Sequence, residues 1–380
     1  SNWELCLADG SDDEHLQVGQ IVAGFQQQDG RIQYRKLERN LGISGNTNAC
    51  IEMASGDYIA LFDHDDLLHP SVLYENMKAI CEQGADFIYT DELTFQGTTK
   101  NITVAHFKPD FAIDNLRANN YICHFTVFQK SLLEKVGLFR SECDGSQDFD
   151  MVLRLTEQAQ KIVHIPKPLY FWRSHAQSVA SSVGAKPYVI QAAKKAIGDH
   201  LKRVGLDGEA LDSVVPSMYR LKYEIKGEPL ISILIPNKDH VSDLRKCIVS
   251  IQEKTSYPNY EIIVIENNSE EEKTFQYYQL LEKRRNIRVV CWNGKFNYSA
   301  INNFGYTFAK GEYILLLNND TEVISADWLQ EMLMYAQRGD VGAVGAKLYY
   351  SDNTVQHGGV VLGVGGVAAH LHCNRQKEDP

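Results

Sequence analysis

Three carboxylates and an imidazole follow an aromatic-rich run that reads DYIALF at 57–62. The Tyr, Ile and Phe of this run predict a buried strand, and carboxylates at the end of such a strand are costly unless water, a cation or hydrogen-bond donors meet them. Asp63 and Asp65 lie two residues apart, so on an extended backbone both side chains point to the same side. Two convergent carboxylates suit Mg²⁺ or Mn²⁺, and those cations suit phosphates. The spacing therefore predicts a divalent cation site, with His64 on the opposite face in a structural role.

The same pattern returns at a constant offset of 255 residues, because GEYILLLNND at 311–320 repeats GDYIALFDHD at 56–65. The second copy keeps one acid as Asp320 but has Asn318 in place of the other. A period this long excludes a solenoid. The repeat therefore indicates two copies of one domain type.

Apolar runs alternate with amphipathic stretches in both copies, which predicts βα units around a mainly parallel sheet. The carboxyl ends of parallel strands meet at one edge of the sheet, where ligands bind. Asp9, Asp63 and Asp91 each follow a predicted strand. We therefore expect these three side chains to face one ligand site.

Composition limits the classes of function. The chain has 380 residues, enough for two domains with cores of their own, and 44% hydrophobic residues, as in soluble globular proteins. A net charge of −11 argues against nucleic-acid binding. No run reaches the roughly 18 apolar residues that span a bilayer. The eight scattered cysteines form no CxxC pair and fit reduced thiols in the cytoplasm.

The predicted organisation is a first domain over 1–185, a linker helix and extended linker over 186–228, and a second domain over 229–380. The run at 187–206 has the apolar spacing of one amphipathic helix. A new strand, LISILIP at 230–236, opens the second domain.

Four motifs occur in a fixed order in the first copy, and in order and spacing they resemble family 2 glycosyltransferases of the bacterial tandem-domain, rhamnosyltransferase-like type that builds surface polysaccharides. The motifs are ADGS at 8–11, the DxD at 63–65, GSQDFDMVLR at 145–154 and HIPKPLYFWRSH at 164–175. The resemblance implies an α/β fold with two GT-A domains, Rossmann-like and with mostly parallel sheets. It also implies a nucleotide-sugar donor, Mn²⁺ or Mg²⁺, and a glycan or lipid-linked glycan acceptor. The resemblance also implies a cytoplasmic location, at the inner face of the membrane.

Inverting transfer by direct displacement at the anomeric carbon is the reaction that the resemblance implies. Asp148 matches the catalytic base, although without the resemblance it reads as an acid that stabilises a helix N-terminus. His124, in NYICHF, matches no motif and is expected to be packed and hydrogen-bonded. The implied donor-binding residues are Asp9, Asp63, Asp65, Asp239, Glu266 and Asp320, and the implied metal ligands are Asp65, His175 and Asp320.

Each copy is predicted to be incomplete. The first lacks the opening strand and helix that the second has at 230–255, and the second lacks an acceptor half with its own base. Loss of a central strand leaves backbone groups unpaired, so we expect self-association through a neighbouring copy's segment 230–236, or a rearranged strand order, to fill the gap. The alternative function is a catalytically idle nucleotide- or glycan-binding fragment of a larger glycosyltransferase. A dehydrogenase is disfavoured because no GxGxxG follows a strand.

Overall fold

The structure, a computed structural model, describes residues 2–12, 15, 17–174, 187–363 and 366–377. The chain divides into two compact units, Ser1–Lys222 and Tyr223–Pro380. Both units combine helices with sheets, so the predicted α/β class is confirmed. Among the helices described, none has the length and apolar character to cross a membrane.

The first unit follows a βα pattern at its start and becomes more irregular after β3. Its described elements are β1 (Leu5–Asp9), α1 (Gln17–Gln26), β2 (Ile32–Lys36), α2 (Gly42–Met53), β3 (Tyr58–Ala60), β4 (Leu67–Leu68), α3 (Val72–Gln83), β5 (Phe87–Phe95), β6 (Ile102–His106), α4 (Ile113–Ala118), β7 (Thr126–Gln129), α5 (Leu132–Val136), a 3₁₀ turn (Ser141–Cys143), α6 (Gln147–Gln158), β8 (Ile162–Arg173), α7 (Pro187–Arg203), β9 (Gly208–Asp212) and β10 (Tyr219–Tyr223). The residues predicted to form a linker thus include α7 and two strands.

A six-stranded sheet forms the centre of this unit, in the order β3-β7-β5-β8-β4 with β6 on β5. Only β5 and β8 pair in parallel; the other pairs are antiparallel. The prediction of a mostly parallel sheet is therefore wrong here, because β6 returns from β5 through a short turn without a crossover helix. Asp91 also lies inside β5, at a register irregularity, and not at its end.

Two strands of the first unit have an open edge. β1 and β2 pair in parallel as a separate two-stranded sheet, with Leu5 opposite Ile32 and Asp9 opposite Lys36. Within the described ranges no strand pairs with the second edge of β1 or with the outer edge of β3. The expected rearrangement of strand order is therefore wrong, since the strands on both sides of the gap keep open edges.

The second unit opens with regular βα alternation. Its described elements are β11 (Ile231–Asn237), α8 (Val241–Lys254), β12 (Tyr260–Glu266), α9 (Glu272–Leu281), β13 (Ile287–Cys291), α10 (Tyr298–Tyr306), β14 (Tyr313–Leu316), α11 (Trp328–Ala336), β15 (Leu348–Tyr349), β16 (Val355–His357), β17 (Val360–Leu362) and β18 (Ala368–His370). The first four strands form a parallel sheet in the order β13-β12-β11-β14. β15 with β16, and β17 with β18, form two small antiparallel pairs.

β11 is the central strand, and its side chains serve both faces of the sheet. Ile231, Ile233 and Ile235 enter one core cluster with the apolar side of α8, while Leu234 enters the other cluster with Ile301 of α10. Near-continuous branched residues are typical of a parallel strand that helices cover on both faces. This arrangement holds the carboxyl ends of β11, β12 and β14 side by side.

Candidate active site

The acidic motif after β3 folds as a tight turn. The Asp66 amide donates to the Asp63 carbonyl at 3.2 Å, so the backbone turns here. The prediction that Asp63 and Asp65 point to the same side assumed an extended backbone and is wrong. The Asp63 side chain is 61% exposed, Asp65 is half-buried and Asp66 is buried. The three acids therefore have different surroundings, and the turn brings Asp63 close to Asp66.

Strand β8 holds this turn in place. Both carboxylate oxygens of Asp66 accept hydrogen bonds, one from the Tyr170 hydroxyl at 2.5 Å and one from the Arg173 amide at 2.6 Å. The Arg173 guanidinium donates to the Asp65 carbonyl at 2.5 Å. Burial raises the pKa of Asp66 despite these donors. Asp66 thus anchors the turn, a role that the sequence did not predict.

His124 lies at the centre of the site. Its ring stacks on Tyr170 with centroids 4.8 Å apart. Its Nε2 lies 3.5 Å from an Asp63 carboxylate oxygen, and its Nδ1 lies 3.5 Å from Glu92. Burial opposes the charge on His124, but the nearby carboxylates of Asp63 and Glu92 raise its pKa to about 10. The sequence prediction of a packed, hydrogen-bonded histidine missed this contact with Asp63, because only the β3–β7 pairing brings the two segments together.

Glu92 and Lys108 form a buried layer beneath His124. The Lys108 ammonium lies 3.2 Å from a Glu92 oxygen and donates to the carbonyls of Ile122, at 2.6 Å, and of His124. Burial would raise the pKa of Glu92, but the hydrogen bond with His106 and the nearby His124 ring hold it well below its usual range. This layer fixes the loop that carries His124.

Asp148 stands in the first turn of α6. The Asn120 amide donates to its carboxylate at 3.1 Å. Burial raises the pKa of Asp148; the charge on His124 opposes that shift and Asp63 adds to it. Asn120 links Asp148 to the loop that carries His124, because its side-chain oxygen lies 3.4 Å from the Cys123 amide, which donates to it. A half-buried carboxylate with a raised pKa suits general base chemistry near neutral pH.

Asp9 ends β1, in the separate two-stranded sheet. Its oxygens accept from the Ser11 amide at 2.9 Å and the Tyr34 hydroxyl at 2.7 Å, and Lys36 lies 3.4 Å away. Burial would raise the pKa of Asp9, but hydrogen bonds from Ser11 and Tyr34 lower it to about 2. Asp9 is therefore a charged group at a strand end, as predicted, although its sheet differs from that of Asp63.

In the second unit, polar side chains link the ends of three strands. Glu266 accepts from the Tyr278 hydroxyl at 2.6 Å, and Asn237 donates to that hydroxyl at 2.7 Å. Asn319 in turn donates to Asn237 at 2.6 Å. Of the residues in this hydrogen-bond network, the sequence analysis predicted only Glu266. Asn237 ends β11 and Asn319 follows β14, and this position at a strand end is the sequence signal that could have identified them.

Two further predicted residues follow strands of the second unit: Asp239 follows β11 and Asp320 follows β14. Asp239, with a backbone φ of 51°, accepts from the Glu270 and Glu271 amides at 2.9 Å each, and the Glu271 amide is the largest cause of its lowered pKa. It therefore holds the loop before α9. Asp320 is exposed after β14. His175 lies outside the described residues.

A divalent cation fits the donor chemistry of the first unit. Over the described part of the chain, one group of side chains could hold a metal, namely Asp63, Asp66 and His124, whose ligand atoms lie within 4.8 Å of one another. The Asp66 oxygens already accept two hydrogen bonds, one from the Tyr170 hydroxyl and one from the Arg173 amide. The carboxylates of Asp63 and Asp66 supply the hard oxygen donors that Mg²⁺ and Mn²⁺ prefer, and Asp65 lies between these two residues in the same turn.

Comparison with known proteins identifies the family of this chain. The family model described as "Glycosyl transferase family 2" matches residues 1–137 and 232–361. "Uncharacterized protein y4gI" of Sinorhizobium fredii is 44% identical over 380 residues, which are 98% of this chain and 41% of that protein. "O-antigen biosynthesis protein RfbC" of Myxococcus xanthus is 37% identical over 376 residues, which are 97% of this chain and 29% of that protein. The chain therefore spans less than half the length of these two relatives.

Among solved structures, S. aureus TarS 1–349 in complex with UDP-GlcNAc has a TM-score of 0.43 and 17% identity, over 52% of this chain and 57% of that one. The family assignment comes from the sequence comparison, which matches both halves of the repeat. The chain belongs to glycosyl transferase family 2.

Proposed function

We propose that this chain transfers a sugar, with inversion at the anomeric carbon, from a nucleotide-sugar donor to a hydroxyl of a glycan or lipid-linked glycan. The observation that carries the proposal is the contact of His124 with Asp63, together with the hydrogen bonds by which Asn120 joins the Asp148 carboxylate to Cys123, the neighbour of His124. The O-antigen relative supports a role in bacterial surface-polysaccharide synthesis. The cytoplasm, at the inner face of the membrane, is the proposed location.

Asp148 is the proposed base. It accepts the proton of the acceptor hydroxyl as that oxygen attacks the anomeric carbon, while the bond from that carbon to the diphosphate oxygen breaks. The raised pKa of Asp148 makes its carboxylate a stronger proton acceptor than an exposed aspartate. A single displacement of this kind inverts the anomeric carbon.

Asp63 and His124 have positioning roles. His124 holds the Asp63 carboxylate from one side, and the Glu92–Lys108 layer fixes His124 in turn. A bound Mg²⁺ or Mn²⁺, held by the carboxylates of Asp63 and Asp65, would stabilise the charge that develops on the leaving diphosphate. We propose that Asp9 contacts the nucleoside.

The second unit is proposed to be the nucleotide-binding half of a second GT-A domain. Its parallel sheet and the Glu266–Tyr278–Asn237 network at the strand ends support this proposal, since ligands of α/β sheets bind at that edge. Asp239 and Asp320 are the further proposed donor contacts, with Asp320 next to a metal.

A second candidate function is nucleotide or glycan binding without turnover. The open edges of β1 and β3 favour it, because among the described strands of the first unit none pairs with both, as β11 does with β12 and β14 in the second unit. Binding and transfer experiments separate the two candidates.

The first experiment is calorimetric titration of UDP, dTDP and GDP into the chain, with and without Mn²⁺. We expect Mn²⁺-dependent binding of one nucleotide, weakened at least about tenfold in Asp65→Ala. The matched control is Asp57→Ala, since Asp57 is an exposed acid at the opposite end of β3. The absence of binding by every nucleotide, or equal binding by Asp65→Ala, contradicts the proposed donor site.

The second experiment measures release of nucleoside diphosphate from a panel of nucleotide sugars with glycan acceptors. Asp148→Ala should keep nucleotide binding and lose release by about 10²-fold or more. Nucleotide binding by the parent chain without any release supports the binding-only candidate.

A further inference from the structure

The loop between α4 and β7 carries an asparagine whose side chain is hydrogen-bonded at both ends. The Asn120 Nδ2 donates to one oxygen of Asp148, Oδ2, at 3.1 Å. The Asn120 Oδ1 accepts from the Cys123 amide at 3.4 Å. The half-buried Asn120 side chain therefore connects the first turn of α6 with the segment directly before His124.

The Cys123 contact fixes which end of the Asn120 side chain faces Asp148. A backbone N–H can only donate a hydrogen bond, so the group that it meets must be the carbonyl oxygen of the side-chain amide. The NH₂ group then points at Asp148, and an NH₂ group can also only donate. Asp148 Oδ2 is therefore the acceptor in this contact, which favours the ionised carboxylate.

Contacts within the loop keep the Cys123 amide in place. Cys123 has a backbone φ of 35°, which residues other than glycine rarely adopt. The Thr126 hydroxyl donates to the Cys123 carbonyl at 2.8 Å, and the Cys123 thiol donates to the Asn120 carbonyl at 2.9 Å. The buried Lys108 ammonium donates to the Ile122 carbonyl at 2.6 Å. The donor that orients the Asn120 side chain thus belongs to a backbone segment that is held from several directions.

The two oxygens of Asp148 differ as a result. Among the side chains of the described residues, that of Asn120 alone donates to this carboxylate, and it reaches Oδ2. The terminal torsion of an aspartate has broad energy minima, so one hydrogen bond is enough to select an orientation of the carboxylate. The other oxygen, Oδ1, has no side-chain donor within the described ranges and can accept a proton.

The charged groups that act on Asp148 come from two other segments. Burial raises the pKa of Asp148; the charge on His124 opposes this shift and that on Asp63 adds to it. Burial also raises the pKa of the Cys123 thiol well above its usual value. The other ionisable residues of α6 are paired with partners from neighbouring segments or from α6 itself: Asp150 with Arg140 and Arg154, and Glu157 with His200 and Arg203.

We propose that Asn120 is a positioning residue for sugar transfer, since it binds Oδ2 of Asp148 and leaves Oδ1 as the oxygen that takes the proton of the acceptor hydroxyl. This assignment rests on the proposed function. As the proton moves to Oδ1, the hydroxyl oxygen forms its bond to the anomeric carbon, and the bond from that carbon to the diphosphate oxygen breaks. Asn120 exchanges no proton. Hydrogen bonds to ionised acceptors are stronger than those to neutral ones, so Asn120 stabilises Asp148 in the form that a base requires.

The test replaces the donor by an acceptor of the same shape. In Asn120→Asp a carboxylate faces Asp148 where the NH₂ group stood, and two adjacent carboxylates resist joint ionisation. We expect the pH of half-maximal kcat to rise by about two units in this variant, and by about one unit in Asn120→Ala, which only removes the donor. The KM for the nucleotide sugar should change by less than about threefold, because Asn120 contacts the base and not the donor.

Asn119→Asp is the matched control. Asn119 is the preceding residue, is half-buried in the same loop and donates to the Asn115 side chain at 3.1 Å. This variant adds the same charge to the same loop away from the Asp148 contact, so its pH profile should shift by less than about half a unit. An equal shift in Asn119→Asp and Asn120→Asp, or no shift in Asn120→Asp, overturns the proposal.

A titration without substrate separates this proposal from the proposed function. The chain is labelled with ¹³C at its aspartate carboxyl carbons, and the Asp148 signal is identified by its loss in Asp148→Asn. Its midpoint should rise in Asn120→Asp and in Asn120→Ala and should stay in place in Asn119→Asp. An unchanged midpoint in Asn120→Asp overturns the positioning role even where sugar transfer is observed. The expected rise in a chain that transfers no sugar supports the contact of Asn120 with Asp148 and contradicts the proposed function alone.

Folding of each variant is checked by hydrogen exchange of the β5 amides. If Asn120→Asp does not fold, Asn120→Ala decides by the same titration. A rise in the Asp148 midpoint then supports the proposal, and an unchanged midpoint overturns it.

Discussion

Replacement of Asp150 by asparagine tests whether the two acids of the QDFD motif have separate roles. Asp150 is fully buried inside α6 and accepts from Arg154 at 2.9 and 2.7 Å and from the Arg140 Nε at 3.1 Å. The hydrogen bonds from Arg140 and Arg154 hold its pKa below the usual value although burial opposes them. Asp150→Asn removes the negative charge and leaves the volume unchanged.

The expected cost follows from the partners that remain. Arg154 is only 5% exposed, so its charge would lose its carboxylate inside the protein, although its guanidinium still donates to the Val136 carbonyl at 2.6 Å. Arg140 is 27% exposed and keeps Asp199 at 3.0 Å. Breaking a buried ion pair by removing one partner costs about 3–5 kcal/mol. Because both arginines keep acceptors, we expect about 3 kcal/mol.

The assay is urea unfolding with hydrogen exchange of the β5 amides as a probe that belongs to the first unit alone. Asp148→Asn is the control on the same helix. Since the fold raises the pKa of Asp148, its ionised form is disfavoured in the folded state, and removal of the charge should leave stability unchanged or higher. A loss below about 1 kcal/mol for Asp150→Asn, or an equal loss for both variants, refutes this reasoning.

Three further outcomes are expected. The folded-state pKa of Asp9 is lowered from 3.8 to about 2, so its contribution to stability is complete above pH 3.8 and is lost as the pH falls towards 2. The Tyr34→Phe variant lacks one hydrogen-bond donor to Asp9, and its acid titration should show a smaller loss of stability between pH 3.8 and 2. Asn237→Ala removes hydrogen bonds to Tyr278 and Asn319 and should destabilise the second unit by about 2 kcal/mol in urea unfolding, and an unchanged midpoint contradicts the network. Gly311→Ala should cost about 2 kcal/mol or more in the same assay, because its Cβ overlaps backbone atoms of β11, and a neutral result would mean that β11 can move aside.

Several features could be predicted from local patterns. The alternation of apolar and amphipathic runs predicted α/β units, and β11, α8 and β12 follow it closely. The repeat predicted where a strand is missing, and β1 and β3 indeed have open edges there. These features depend on the period of apolar residues and on comparison of the two copies, and both can be read along the chain.

Other predictions failed where contacts between distant segments decide the outcome. The first unit's main sheet is mixed, because β6 and β7 pair in an antiparallel sense with β5. Asp63 and Asp65 were expected on one side of an extended strand, but the Asp63–Asp66 turn gives each acid different surroundings. In both cases a local rule was correct in general and was overridden by the pairing of the surrounding segments.

The sequence by itself determined the family, the two copies and the acids near the proposed chemistry, because motifs and their spacing lie within single short segments. Only the tertiary structure decided that His124 meets Asp63 and Glu92, that Asp66 anchors the acidic turn, and that Asp150 belongs to the core while Asp148 faces the site. The physical reason is that burial and long-range hydrogen bonding set the role of each titratable group, and both arise only when β3, β7, β8 and α6 come together.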